Sequence, residues 1–236
     1  MSEPLVFLPG MMCDARLFAP QLAFFSARHC VTVAPITHGE RIDDIAVHLL
    51  SKLPARFALA GLSMGGIVAM EMVRRAPERI ARLALMDTNP LAETPQVAAA
   101  REPQIARVKA GGLEEVMRDE MKPNYLAPGA QRQGVLQIVM EMALSLGPEV
   151  FIRQSRALQR RKDQQTTLRR CHIPTMVLCG AHDQLCPVQR HEAMASLIPE
   201  AQLRIIENAG HLPTLEAPGA VIEALLAWLE QPFVLR

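Results

Sequence analysis

A serine flanked by two glycines lies where a predicted strand turns into a predicted helix. The motif is Gly61-Leu62-Ser63-Met64-Gly65, after the strand-like residues 57–60 and before the helix-like residues 67–73. So sharp a turn strains the backbone at the serine, and glycines two residues before and after it remove side chains that would collide. The strain holds the hydroxyl clear of the backbone, next to a helix N-terminus. The pattern therefore predicts that Ser63 is a nucleophile.

Two further polar residues follow predicted strands and complete the order Ser, Asp, His along the chain. Asp183 lies beyond the apolar run 174–180, and His211 lies on a loop after the alternating residues 203–207. A nucleophilic serine needs a base to take its proton and an acid to orient that base. Parallel strands in one sheet would bring the three side chains to one edge. We therefore predict His211 as the base and Asp183 as the acid.

Asp87 is the alternative acid, because it also ends a predicted strand. Asp183 has the more suitable surroundings, so we expect Asp87 to fix the start of the segment that follows it. Four other histidines are expected at surface or loop positions, namely His38, His48, His182 and His191.

Strand and helix patterns alternate along most of the chain. The predicted strands lie near residues 4–8, 30–34, 57–61, 81–86, 175–180 and 202–207. The predicted helices lie near residues 15–27, 42–53, 64–76, 188–198 and 217–230. Such alternation is typical of an α/β fold with a mainly parallel sheet and helices on both faces.

The segment 90–170 interrupts this alternation, because its patterns are helical throughout. Thr94-Pro95 is typical of a helix start and Gly111-Gly112 of a helix end, after which residues 113–122 continue helically. Five apolar residues share one face of a further helix, namely Val135, Ile138, Val139, Met142 and Leu146. We expect residues 1–89 and 171–236 to form the core and 90–170 to form a helical cap, or lid, over the carboxyl edge of the sheet.

The composition indicates a globular domain without an extreme charge. The 236 residues suffice for one domain with an insertion, and half of them are apolar. The formal net charge of +1 does not indicate a nucleic-acid or anionic-membrane partner. No apolar run reaches the roughly 18 residues of a transmembrane helix. A strand is predicted from Leu5 without a basic leader before it, which favours the cytoplasm.

Five cysteines without a Cys-x-x-Cys pair are typical of reduced thiols in the cytosol. A zinc site would have to come from Cys171, His172, Cys179 and His182. Their spacing matches no standard site, so we predict no bound metal.

A basic stretch lies near the end of the predicted cap. Residues 153–170 carry seven Lys and Arg side chains against one acid, Asp163. One interpretation is a solvated helix face. The other is a binding site for an acidic carrier or an anionic substrate, formed by Arg153, Arg156, Arg160 and Arg161.

Several separated motifs resemble, in the same order, those of the α/β-hydrolase superfamily. They comprise residues 5–10, 61–66, 83–88, 177–183 and 208–211, with Trp228-Leu229 near the end. Within that superfamily the chain looks most like small, single-domain bacterial esterases with a short helical cap. The resemblance implies an α/β-hydrolase fold of about six strands, cleavage of carboxylic esters or thioesters, and no cofactor.

The resemblance also implies an oxyanion hole of two backbone N–H groups, which belong to Met11 and Met64. The family usually has His-Gly after its first core strand, whereas this chain has Pro9-Gly10. That departure removes a polar side chain from the edge of the site but leaves the backbone donor in place.

These residues favour a serine hydrolase that cleaves a small-molecule ester or thioester through an acyl-enzyme. One alternative uses the same three residues for hydrolysis of a C–C bond or for a lyase step. The other is a non-catalytic ligand-binding module on the hydrolase fold, in which the three residues would have no purpose.

Overall fold

A computed structural model describes residues 3–121 and 125–233. Within these residues, six strands form one sheet: β1 Leu5–Leu8, β2 Val31–Val33, β3 Phe57–Leu62, β4 Ile80–Met86, β5 Thr175–Gly180 and β6 Gln202–Ile206. The described helices are α1 Ala19–Phe25, α2 Ile42–Leu50, α3 Met64–Arg75, α4 Pro95–Lys109, α5 Leu113–Glu115, α6 Arg132–Leu146, α7 Pro148–Gln159, α8 Gln165–Arg169, α9 Val188–Leu197, α10 Pro213–Glu216 and α11 Pro218–Leu229. The predicted α/β architecture is therefore confirmed.

All strand pairs in the sheet are parallel, and the strand order is β2-β1-β3-β4-β5-β6. The chain goes outward from β1 to β2 and then returns to the other side of β1 to form β3. The order of strands thus reverses between β1 and β3, whose carboxyl ends are adjacent. Crevices at such a reversal are where open α/β sheets bind their ligands.

The burial of the strands explains their apolar sequences. Every residue of β1, β3, β4 and β5 is buried, whereas the edge strands β2 and β6 are largely half-exposed. Helix α3 packs on β1, β3 and β4, α9 packs on β5 and β6, and α11 packs on β4 and β6. Parallel strands covered on both faces lose the alternation of polar and apolar residues.

The predicted helices of the core are present, with two local departures. The predicted helix 15–27 is divided into a 3-10 turn, Ala15–Phe18, and α1, whose second residue is Pro20. Proline lacks an N–H and fits the first turn of a new helix. The short helix α10 before α11 was not predicted.

The segment between β4 and β5 is helical, as expected. The Thr94 hydroxyl accepts the Val97 N–H at 3.3 Å and caps α4. The helix expected over 113–122 consists of α5 and a π-helical turn, Val116–Met121, while residue 122 lies outside the described residues. In the described part of the chain no single helix has the length and apolarity to cross a bilayer. Helices α6 and α7 meet that test only as a pair, and the pair is bent by 97°.

Candidate active site

Ser63 lies in the turn between β3 and α3, with a backbone conformation that non-glycine residues rarely adopt. Its φ is 55° and its ψ is −116°, which is a strained combination. A Cβ atom on Gly61 would lie 2.4 Å from the Gly65 carbonyl oxygen, and one on Gly65 would lie 2.1 Å from the Leu8 carbonyl oxygen. The two glycines therefore allow β1, β3 and α3 to approach closely, and the turn presents Ser63 at the carboxyl edge of the sheet.

Residues after β4 and in α9 hold this turn. The Thr88 hydroxyl donates to the Ser63 carbonyl at 2.7 Å, and the Thr88 N–H donates to Nε2 of His191 at 3.0 Å. His191 is fully buried, so the expected surface or loop position is wrong; it lies on the face of α9 that packs on the core. Burial lowers the pKa of His191 to about 4, which favours the neutral ring that accepts this hydrogen bond.

Ser63, His211 and Asp183 form one hydrogen-bonded relay. Nε2 of His211 lies 2.9 Å from Ser63 Oγ, and Nδ1 lies 2.8 Å from Asp183 Oδ2. Asp183 Oδ1 accepts the N–H groups of Leu185 at 2.8 Å and Cys186 at 3.0 Å. Burial by itself would raise the pKa of Asp183, but the His211 ring and these hydrogen bonds hold it below its ordinary value. Asp183 thus faces His211 as a carboxylate.

Asp87, the alternative acid, is buried close to Asp183 but contacts a different group. Its Oδ1 accepts the Gly180 N–H at 2.9 Å, and its Oδ2 has no hydrogen-bond partner among the described residues. Burial, and then repulsion from Asp183, raise the pKa of Asp87 well above its ordinary value. The Asp87 side chain therefore links the ends of β4 and β5, and the expectation that it fixes the start of the helical segment is wrong.

Glu216 organises the loop that carries His211, a role that the sequence did not reveal. Its Oε2 accepts the Gly210 N–H at 2.9 Å and its Oε1 accepts the Leu212 N–H at 2.9 Å. Oε2 also accepts the Ala127 N–H, from the segment between β4 and β5, at 2.8 Å. One buried carboxylate thereby satisfies three backbone donors and fixes the chain on both sides of the histidine.

The two expected oxyanion donors lie at the ends of neighbouring strands. Met64 is the first residue of α3, and Met11 lies in the turn after β1. Among the described residues, neither backbone N–H donates to a protein acceptor. Gln154 of α7 is fully buried; it accepts the Met12 N–H at 2.8 Å and donates to the Ile36 carbonyl at 3.2 Å. Helix α7 thereby fixes the turn that carries Met11.

A cavity of about 490 Å³ opens onto Ser63 and His211. One of its walls comes from the helical segment, through residues that include Leu91, Arg101, Met121, Tyr125, Leu158 and Arg161. The backbone N–H of His211 donates to the Tyr125 carbonyl at 2.6 Å, and the two side-chain rings lie 5.7 Å apart. The helical segment therefore touches the relay directly.

Only one of the four arginines that the sequence suggested as an anion-binding site lines the cavity. Three of them contact neighbouring groups outside the cavity: Arg153 donates to the Thr37 carbonyl at 3.1 Å, Arg156 contacts Glu102, and Arg160 contacts Glu40 at 3.2 Å. Arg161 is largely buried and lines the cavity.

Two of the three potential metal ligands that lie close together are members of the relay. In the described part of the chain, the ligand atoms of Asp183, Cys186 and His211 come within 4.8 Å of one another. Asp183 and His211 are hydrogen-bonded to each other, and burial raises the pKa of the Cys186 thiol. The set suggested from the sequence, Cys171, His172, Cys179 and His182, does not form such a group.

Comparisons with known proteins agree with this architecture. A pimeloyl-[acyl-carrier protein] methyl ester esterase of Aromatoleum aromaticum is 29% identical over 191 residues, which cover 76% of each chain. The biotin biosynthesis bifunctional protein BioHC of Teredinibacter turnerae is 28% identical over an alignment of 269 positions, which spans 96% of this chain and 44% of that longer protein. A malate-bound structure of a thermophilic esterase from Thermogutta terrifontis superposes with a TM-score of 0.88 and 28% identity, over 99% of this chain and 92% of that one.

The sequence profile of the alpha/beta hydrolase family matches residues 5–224, nearly the whole chain. The six-stranded parallel sheet and the motif order agree with that match. The chain therefore belongs to the alpha/beta hydrolase family.

Proposed function

We propose that this protein is a serine hydrolase that cleaves a carboxylic ester or thioester of a small molecule through an acyl-enzyme. The relay of Ser63, His211 and Asp183 carries the proposal, because the three groups lie within hydrogen-bonding distance at the mouth of a cavity. The esterase names of two relatives support the same reaction class.

In the first step His211 takes the Ser63 proton while Ser63 Oγ attacks the acyl carbon. The 2.9 Å contact between Nε2 and Oγ is within the reach of general-base catalysis. Asp183 keeps the ring proton on Nδ1 and stabilises the imidazolium that forms. His211 then protonates the leaving group, and a water molecule that it activates releases the acyl group from Ser63.

The backbone N–H groups of Met11 and Met64 stabilise the oxyanion that develops during both steps. Among the described residues neither N–H group has a protein acceptor, and the positive end of the α3 helix dipole lies at Met64. Removing one such donor typically lowers kcat on the order of 10²–10³-fold. Gln154 acts as a positioning residue, because it holds the turn that carries Met11.

Residues 90–170 act as the cap over the core formed by residues 1–89 and 171–236. They form a wall of the cavity, and their Tyr125 carbonyl accepts the backbone N–H of His211. Of the four arginines considered for an anionic substrate or an acidic carrier, we retain only Arg161, since the other three are engaged outside the cavity.

A panel of esters and thioesters with varied acyl chains tests the proposal. We expect hydrolysis of at least one class, and its loss in Ser63→Ala with the fold retained by circular dichroism. Labelling of Ser63 by a fluorophosphonate without turnover of any member would favour the C–C hydrolase or lyase alternative. Absence of both turnover and labelling would favour the ligand-binding module.

A further inference from the structure

Five charged side chains line the cavity that holds Ser63, and their charges do not cancel. They are Glu93, Arg101, Glu120, Arg161 and Arg190, with a formal sum of +1. The side chains of Glu93, Arg161 and Arg101 are only 1%, 11% and 17% exposed. The Glu120 carboxylate contacts Arg107 and Gln104. The three enclosed charges, those of Glu93, Arg101 and Arg161, leave one positive charge in excess, which needs an anion for full compensation.

Glu93 is engaged by Arg101 and leaves Arg161 largely uncompensated. Nε and Nη2 of Arg101 donate to the two oxygens of Glu93 at 2.6–3.1 Å. Arg161 comes no closer than 4.0 Å to the same carboxylate. The buried Nε of Arg161 has no hydrogen-bond partner among the described residues. A guanidinium has five N–H donors, and burying such donors unpaired is costly.

Arg101 contacts a residue of the proposed oxyanion hole. Nη1 of Arg101 is 4.0 Å from Sδ of Met11, the residue whose N–H we assign to the oxyanion hole. Apolar side chains such as Leu62, Ile67 and Leu158 line the same cavity as these charges and Ser63. The arrangement suits a short apolar chain with a charged end.

We propose that the cavity selects ester substrates that carry a free carboxylate, which Arg161 binds with Arg190 at the rim. This inference rests on the proposed function and names the substrate class of the same site. A planar guanidinium matches a carboxylate with two parallel hydrogen bonds, which are stronger than neutral ones. The carboxylate belongs either to the acyl part or to the alcohol part of the ester, and the experiment separates the two.

Matched pairs of esters give the test. For the acyl part, mono-p-nitrophenyl glutarate is compared with p-nitrophenyl butyrate; for the alcohol part, the butyrate ester of glycolate is compared with propyl butyrate. We expect kcat/KM of the wild type to favour one anionic member about 10- to 100-fold, the worth of hydrogen bonds to a charged group. Arg161→Gln should remove most of that preference through KM, and Arg161→Lys should retain part of it.

Arg160→Gln is the control variant, because Arg160 is adjacent in sequence but pairs with Glu40 outside the cavity. Its preference for the anionic ester should equal that of the wild type. In the wild type, glutarate should inhibit hydrolysis of the neutral ester competitively, whereas pentan-1-ol should not. This inhibition assay tests the proposal even if Arg161→Gln fails to fold.

Equal kcat/KM for anionic and neutral esters, together with no inhibition by glutarate, would overturn the carboxylate proposal while leaving ester hydrolysis intact. An unchanged preference in a folded Arg161→Gln variant would also overturn it. Failure of the proposed function has a different signature, namely no turnover of either neutral ester and no label on Ser63.

Discussion

Replacing Asp183 by Asn should reverse the hydrogen bonding at His211. Asp183 Oδ1 accepts the N–H groups of Leu185 at 2.8 Å and Cys186 at 3.0 Å, while Oδ2 faces Nδ1 of His211 at 2.8 Å. An asparagine satisfies the two backbone donors only if its carbonyl oxygen turns toward them. Its NH₂ group then faces Nδ1, which has to accept a hydrogen bond, so the ring proton moves to Nε2.

A ring protonated at Nε2 cannot take the proton of Ser63, which lies 2.9 Å away. Loss of the correct tautomer lowers turnover in serine enzymes on the order of 10⁴-fold. We expect kcat of Asp183→Asn to fall on the order of 10³–10⁴-fold, or about 4–5.5 kcal/mol of transition-state stabilisation. The assay is steady-state hydrolysis of a p-nitrophenyl ester, with near-ultraviolet circular dichroism to verify the fold.

Asp87→Asn is the matched control, because it removes a carboxyl beside the same strand ends. Its carbonyl oxygen still accepts the Gly180 N–H, and its amide resembles the protonated carboxyl that the raised pKa of Asp87 favours. We expect kcat within about tenfold of the wild type, since the His211 ring is hydrogen-bonded to Asp183, whereas Asp87 bonds the Gly180 N–H. A larger loss in Asp87→Asn than in Asp183→Asn would refute the assignment of the acid.

Two further predictions concern residues that support the site. Glu216 accepts three backbone N–H groups, and in Glu216→Gln one of these donors faces an amide NH₂. The free energy of unfolding should therefore fall by about 1–3 kcal/mol in urea titrations, and kcat should fall with it. Equal stability and kcat in the variant and the wild type would contradict this role of Glu216. Burial alone would raise the pKa of Glu71, but hydrogen bonds from Arg74, Arg75 and Gln164 lower it to about 2. The wild type should therefore be more stable than Glu71→Gln by the full amount above pH 4.5, and this difference should disappear as the pH falls toward 2. Urea titrations across that pH range measure it. A difference in stability that does not depend on pH would contradict the lowered pKa of Glu71.

The sequence predicted those features that depend on local pattern. Strand periodicity located all six strands to within a residue at each end, for example Thr175–Gly180, and the glycines around Ser63 located its turn. Asp183 and His211 follow strands, so a parallel sheet was enough to predict that they lie near Ser63. Helix boundaries were less well predicted, because Pro20 begins a new helix inside a continuous apolar pattern.

The groups that hold the site in place could not be predicted, because their partners are distant in sequence. Gln154 contacts Met12 across 142 positions, and His191 contacts Thr88 across 103 positions. No local periodicity distinguishes such a buried glutamine or histidine from one on the surface. Arg161 posed the same difficulty, since it lies in one basic stretch with Arg160 yet only Arg161 faces the cavity.

The site of covalent labelling by a fluorophosphonate identifies the nucleophile, because the reagent reports an activated serine without any assumption about the substrate. Wild type, Ser63→Ala and Asp183→Asn are treated with the reagent, and the adduct is located by peptide mass spectrometry. We expect one phosphonyl group per wild-type chain on Ser63, none on Ser63→Ala, and much slower labelling of Asp183→Asn. An adduct on another residue, or undiminished labelling of Ser63→Ala, would contradict it.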